Sequence, residues 1–167
     1  LERLNAVHNG FVGVTQIPVT TTDDEIIALN NHGVRAVRFN LRRGGSESIR
    51  ELEGFARRVF SLAGWHVELY AGYEALEALK DIICRLPKVC IDHLGLESRG
   101  LNLLELFVAV DVKVKVTGFG RIDFAPMPEI KKLYALNSSS LMFGTDLPST
   151  RAPVPFNDSH LYQILEE

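Results

Sequence analysis

Two short apolar runs in this chain end in groups that can carry a proton. Val89-Cys90-Ile91-Asp92-His93-Leu94-Gly95 lies between Pro87 and Gly95, the pattern of a buried strand. Alternation along a strand places His93 on one face with Ile91 and Val89, and Asp92 on the other with Cys90. Leu141-Met142-Phe143-Gly144-Thr145-Asp146 repeats the layout and is stopped by Pro148. A titratable group there is either a satisfied core residue or one that projects into a site above the sheet, where it can move protons. Arg38 has two readings: an interior ion-pair partner of Glu68, or a bidentate clamp on a substrate carboxylate. Arg121 follows Gly118-Phe119-Gly120, where the backbone is free to bring a ligand close. Asn40 and Tyr70 end two more strands and are candidate substrate contacts, although Tyr70 is equally suited to packing. Asp92 is expected to point away from such a site and bond neighbouring backbone. Lys113 and Lys115 read as an ion-paired or solvated face, with Lys115 inward if Thr117 is. Asp23-Asp24-Glu25 complements a helix dipole rather than forming a metal cluster.

The elements that must position these groups alternate regularly. Phe11 to Ile17 reads as a strand, and Thr22-Asp23-Asp24-Glu25 as a capping box opening a helix to about Asn31, ended by Gly33. Val34 to Leu41 is the second strand, and Gly44-Gly45 turn the chain. Ser48-Ile49-Arg50-Glu51 is a second capping-box match, with Ile49, Leu52, Ala56, Val59 and Phe60 along one helical face. Gly64 ends that helix and Trp65 to Ala71 form the third strand. A helix from about Tyr73 to Arg85 turns Leu76, Leu79 and Ile83 inward, and the strand ending at His93 follows. Leu101 to Val108 reads as helical and Val112 to Thr117 as the fifth strand. Pro128 to Leu136 is a helix with proline near its start. Ser140 to Thr145 is the sixth strand, and a short helix from Ser159 to Glu166 closes the chain.

Strands alternating with helices at this interval indicate an α/β fold with a parallel sheet. An open doubly wound sheet and an incomplete (β/α)8 TIM barrel are both compatible with six such units. The polar residues favour the barrel. Arg38, Asn40, Tyr70, His93, Thr117, Arg121 and Asp146 fall at or just past the C-terminal ends of different strands, which a barrel gathers at one mouth. Residues 1–167 read as one domain of this kind. The net charge of -3 and scattered basic residues give no electrostatic case for nucleic acid or an anionic membrane. No apolar run approaches the roughly 20 residues that span a bilayer. The two cysteines, Cys84 and Cys90, make neither a disulfide framework nor a zinc pattern, so a reducing cytoplasm is expected.

These residues carry a family resemblance. Gly33-Val34-Arg35-Ala36-Val37-Arg38-Phe39-Asn40, Ile91-Asp92-His93-Leu94-Gly95, Lys115-Val116-Thr117-Gly118 and Gly144-Thr145-Asp146-Leu147-Pro148 resemble successive strand ends of the amidohydrolase superfamily. The branch is that of TIM-barrel metal-dependent hydrolases similar to 2-pyrone-4,6-dicarboxylate lactonase. The resemblance implies a barrel that hydrolyses a lactone, amide or ester-like bond in a small carboxylated substrate. It makes Asp146 the general base toward water. It makes His93 the group that polarises the carbonyl, either directly or as ligand of a divalent metal such as zinc, with Asp146 the second candidate ligand. The family also includes metal-dependent non-oxidative decarboxylases, the alternative enzyme reading.

One feature departs from the family. Its first strand carries His-x-His, and this sequence has none: His8, His32, His66 and His160 are each isolated. Either about two βα units are missing at the N-terminus, or the chain is a degenerate relative acting as a binding domain. A catalytic zinc wants about three protein ligands, and His93 with Asp146 supplies two. The expected partner is therefore a small-molecule substrate, with one divalent metal or none. A homo-oligomer is compatible with the sequence.

Overall fold

The computed structural model describes residue 1, residues 10–44 and residues 47–165. His8, Gly45 and Glu166, which the sequence reading touched, lie outside the described residues.

All six expected strands are present: β1 (Gly13–Thr15), β2 (Val34–Asn40), β3 (His66–Tyr70), β4 (Val89–Ile91), β5 (Lys113–Val116) and β6 (Leu141–Phe143). Between and after them run α1 (Asp23–Asn31), α2 (Leu52–Ala63), α3 (Tyr73–Ile83), α4 (Leu101–Ala109), α5 (Pro126–Asn137) and α6 (Ser159–Leu165). The strands form one sheet in the order β1-β2-β3-β4-β5-β6, and every pairing is parallel. A doubly wound sheet reverses its strand order at a switch point. Strictly sequential order is instead the arc of a barrel. The structure is thus an α/β arc of six βα units, and among the described residues β1 pairs only with β2 and β6 only with β5.

Local chemistry explains most boundaries. Thr22 caps α1 with both halves of the capping box: its hydroxyl accepts from the Glu25 backbone N–H, and the Glu25 carboxylate accepts from the Thr22 N–H. Gly64 ends α2 in the left-handed region at φ 69°, where a side chain would be strained. The second capping box did not form as expected. Ser48 accepts from Arg50 N–H and opens a short 3-10 turn, Ile49–Glu51, and α2 begins at Leu52. Burial decides this: Leu52, Phe55, Ala56 and Val59 are buried while Ile49 is exposed.

Alternation sorts the strand residues into two layers. Val37, Phe39, Val67, Leu69, Val89, Ile91, Val114 and Val116 pack with Leu52, Leu76, Ile83, Leu104 and Phe107 of the helices into one core. At about 25 cal/mol per Å2 of apolar surface removed from water, each such side chain contributes on the order of 2 kcal/mol before entropy is counted. The register pairs Arg38 with Glu68 and Glu68 with Cys90 on the opposite, inner face. Lys115 stands two residues on from Lys113, which pairs with Cys90, and so shares that face. Polar residues on that face lie under the mouth that the strand ends define.

Candidate active site

β4 stops at Ile91, and its last polar residues leave the strand in different ways. Asp92 continues the inner face, directed at the charges of β2 and β5 rather than away from them. Its carboxylate lies 2.5 Å from Arg38 Nη2 and 3.2 Å from Lys115 Nζ. The expected backbone-bonding role is thereby corrected: on a curved sheet, the face shared with Cys90 is the face of Glu68 and Arg38. The Arg38 contact to Asp92 Oδ2 lacks hydrogen-bond geometry, so charge alone holds that oxygen. Glu68 completes the quartet, bonding Arg38 Nη1 at 3.1 Å and the Lys115 ammonium. Glu68 and Asp92 are each 1% exposed. Burial, then the neighbouring Glu68 charge, raises the Asp92 carboxyl to about 6. Burial pulls Lys115 down, but Asp92 and Glu68 together outweigh it and leave the ammonium raised.

His93 reaches the mouth through a break in the strand, not by alternation. It opens a 3-10 turn, His93–Gly95, with φ 49° at both His93 and Leu94. Its Nδ1 lies 2.7 Å from Thr117 Oγ1 at the end of β5. Its Nε2 lies 3.7 Å from Asp146 Oδ1, beyond the end of β6. The sequence separates His93 from Asp146 by two strands and two helices, and the arc closes that distance. Gly118 makes the approach feasible: it sits at φ 63°, and a Cβ there would lie 2.5 Å from His93 Nδ1. Tyr70 packs edge-on against the imidazole, with ring centroids 5.6 Å apart.

The electrostatics favour a neutral imidazole. Burial first, opposed by Asp146 and reinforced by Arg121, lowers His93 to about 4. A neutral imidazole has one N–H, and Thr117 can donate its hydroxyl proton to Nδ1. That tautomer directs Nε2–H toward the mouth and Asp146. Asp146 is fixed on its other side, where Arg121 Nε donates to Oδ2 at 2.6 Å. The Arg121 guanidinium also donates to the Thr150 carbonyl at 3.1 Å. Oδ1 is thus left facing His93 with its orientation set.

Among the candidate substrate contacts, Arg121 therefore sits on Asp146 and Arg38 on Glu68 and Asp92. Tyr70 is 6% exposed and lies under the guanidinium carbons of Arg38 and Arg43, at 5.3 and 5.5 Å. Asn40 Oδ1 accepts from Arg43 N–H at 3.0 Å and holds the β2 turn. Beside this group opens a cleft of about 310 Å3 whose lining includes Arg42, Arg43, Tyr70, Arg121, Arg151, Glu97 and Asp123. Sequence reasoning did not single out Arg42, Arg43, Arg151 or Glu97. Arg42 and Arg43 lie between the second strand and Gly44-Gly45, and Arg151 lies between Pro148 and Pro153, so nothing local marked them. Glu97 pairs with Arg42 at 2.6 Å, in space left by Gly72, whose Cβ would collide with both.

The described residues do not by themselves provide a catalytic zinc set. No group of three or more His, Cys, Asp or Glu side chains converges among them, where about three ligands are wanted. Arg121, moreover, places a cation against one of the two candidate ligands. No helix among the described residues is long and apolar enough to cross a membrane.

Comparison with known proteins bears on this geometry. The family model described as amidohydrolase matches residues 2–166. A 2-pyrone-4,6-dicarboxylate hydrolase from Comamonas testosteroni is 37% identical over 86 residues, which is 50% of this chain and 28% of that protein. The matched stretch is thus well under two thirds of that relative's length. A Pseudomonas putida structure assigned as a 2-pyrone-4,6-dicarboxylic acid hydrolase superposes with a TM-score of 0.72 at 26% identity, covering 99% of this chain and 67% of its own. An Acinetobacter baumannii structure with the same assignment and citric acid bound gives 0.77 at 23% identity, covering 99% and 70%. At that identity it supports the fold.

Proposed function

Since the chain belongs to the amidohydrolase family, we propose that this protein hydrolyses a lactone, amide or ester-like bond in a small carboxylated substrate, a carboxylated lactone first among them. The observation that carries the reading is the convergence of His93 Nε2 and Asp146 Oδ1, 3.7 Å apart at the mouth of the arc. Asp146 Oδ1 takes a proton from water as the water oxygen attacks the carbonyl carbon. His93, neutral through burial, donates its Nε2 hydrogen bond to the carbonyl oxygen as negative charge grows there. Collapse of the tetrahedral intermediate breaks the bond to the ring oxygen, and the proton held by Asp146 passes to that leaving group. One water is consumed, and a hydroxyl and a carboxylic acid are produced, the acid then ionising to a carboxylate with release of one proton.

The named Comamonas relative and the arginine-lined cleft support the carboxylated substrate class. Each proton step in this scheme is assigned to a protein side chain, so turnover is expected to survive chelation. The test is a panel of lactones with and without ring carboxylates, assayed before and after treatment with a chelator. Hydrolysis of the carboxylated lactones that persists after chelation supports the scheme. Loss on chelation would move His93 to a metal-ligand role. Release of carbon dioxide in place of ring opening would replace the hydrolase with a decarboxylase. No turnover with any substrate would favour a binding domain.

A further inference from the structure

Asp146 keeps one oxygen toward His93 because Arg121 holds the other at 2.6 Å. Arg121 itself stands at the end of a turn, where its N–H donates to the Gly118 carbonyl at 2.8 Å. Gly118 and Gly120 leave that turn many backbone states, so contacts from outside it must select one.

Those contacts come from the C-terminal segment. The Arg121 guanidinium donates to the Thr150 carbonyl at 3.1 Å. Gly120 admits the Val154 carbonyl so closely that any Cβ would collide with it. Phe119, between these two residues, meets the ring of His160 on α6, with centroids 5.2 Å apart. Phe156 closes edge-on against the same imidazole at 5.7 Å. The gap that these rings leave against Thr117, Gly118 and Gly144 is about 10 Å3, hardly more than one water needs. Phe119 and Ile164 of α6 also pack against the main core, which gives the clamp a fixed base. The imidazole is tied to the start of α6 as well. Its Nδ1 faces the Asn157 N–H at 3.5 Å, and the His160 N–H donates to the Asn157 carbonyl at 2.9 Å. Isolated in the sequence, His160 is thus the side chain on which the two segments meet.

We propose that His160 is a positioning residue for Asp146. It clamps the turn 118–121 against the C-terminal segment, and the turn so held lets Arg121 keep Asp146 Oδ1 directed at His93. The assignment rests on the hydrolase reading for what Asp146 then does.

Two readouts in the intact chain test it. The first is exchange of the Arg121 Nε–H with solvent, followed by NMR and assigned by loss of the signal in Arg121→Met. His160→Ala should speed that exchange roughly 10-fold or more, as the turn opens locally. His160→Phe, which keeps a ring between Phe119 and Phe156, should restore slow exchange. The second readout is hydrolysis of the carboxylated lactones. His160→Ala should lower kcat roughly 10-fold, since small misplacements of a reacting group cost rate steeply. In an Arg121→Met background the same substitution should cost almost nothing more, because the route to Asp146 is already cut. If His160→Ala does not fold, as judged by circular dichroism, His160→Leu fills the space without an aromatic ring and takes its place. Fast exchange in the wild type, unchanged exchange in the variant, failure of His160→Phe to restore it, or equal kcat losses in both backgrounds would overturn the proposal. A wild type that hydrolyses nothing would sink the hydrolase reading, and the exchange measurement would then decide the His160 assignment by itself.

Discussion

The inner face of the arc and its mouth are built from the same residue types and put them to different use. On the inner face, Arg38 and Lys115 meet Glu68 and Asp92, two cations against two anions, with both carboxylates buried. Charges taken from water are tolerated only when paired, and removing one member leaves the others exposed to the full desolvation cost. At the mouth, His93, Thr117, Asp146 and Arg121 are also linked, yet the histidine is neutral and one aspartate oxygen is left facing it. The adjoining cleft adds arginines in excess of its carboxylates. A balanced set of charges holds strands together. An unbalanced set, with groups left directed at empty space, is suited to binding and proton transfer.

The sharpest way to separate the two regions is to neutralise one acid in each. Asp146→Asn preserves shape and the contact to Arg121 but cannot accept a proton. Hydrolysis should drop by roughly 10²–10⁴-fold, with the unfolding midpoint nearly unchanged. Turnover at the wild-type rate would remove Asp146 from the mechanism. Glu68→Ala should do the reverse. It leaves Arg38 and Lys115 facing Asp92 alone, at a cost of roughly 3–5 kcal/mol in urea unfolding. A loss within about 0.5 kcal/mol, the range of ordinary surface changes, would mean that water already compensates the quartet.

pH divides the regions more finely, because two adjacent residues titrate in opposite senses. His93 stays neutral when folded down to about 4, against an ordinary value of 6.5. Between those values only the unfolded chain takes the proton, so this contribution is complete above pH 6.5 and lost as pH falls toward 4. Asp92 is raised to about 6 from 3.8. Between those values only the unfolded chain gives up the proton, so its contribution is complete below 3.8 and lost as pH rises to 6. Each is on the order of 3 kcal/mol and the windows overlap, so from pH 4 to 6 the two contributions oppose each other. Asp92→Asn should expose a stability that climbs with pH across 4 to 6.5. His93→Gln should expose one that declines from 4 to 6. Denaturant titrations at several pH values would show both, and parallel profiles for the two variants would refute the opposition.

Gly118→Ala should lower catalysis less than Asp146→Asn does, at a modest cost in stability. The positive φ costs about 1 kcal/mol, while the added methyl pushes against the His93 ring. kcat is expected to fall several-fold with KM little changed. A variant with full kcat would show that His93 can shift without consequence.

Much of this fold was legible locally. Thr22 and Glu25 announced a capping box and Gly64 a helix end, because caps and left-handed turns depend on a few neighbouring residues. The apolar runs ending at His93 and Asp146 marked two strand ends correctly for the same reason. The second capping box misled because Ser48 and Glu51 match the pattern, while the helix start is set by where Leu52 and Phe55 find the core. Asp92 misled because alternation says which residues share a face but not which face lines the inside of a curved sheet. Arg42, Arg43, Glu97 and Arg151 gave no signal, since a turn or a proline-rich stretch looks alike whether or not it borders a cleft.

By itself, then, the amino-acid sequence determined the alternation of strands and helices, their parallel arrangement, and the strand ends that would hold polar groups. These follow from propensity, periodicity and capping, each acting over a few residues. The tertiary structure alone decided that the strands lie in sequential order, that Asp92 joins Glu68, and that Thr117 and Asp146 flank His93. It also decided which arginines are neutralised and which are left over. Those outcomes depend on contacts between residues 24 to 55 positions apart, and no local pattern encodes which distant partner a charge will meet.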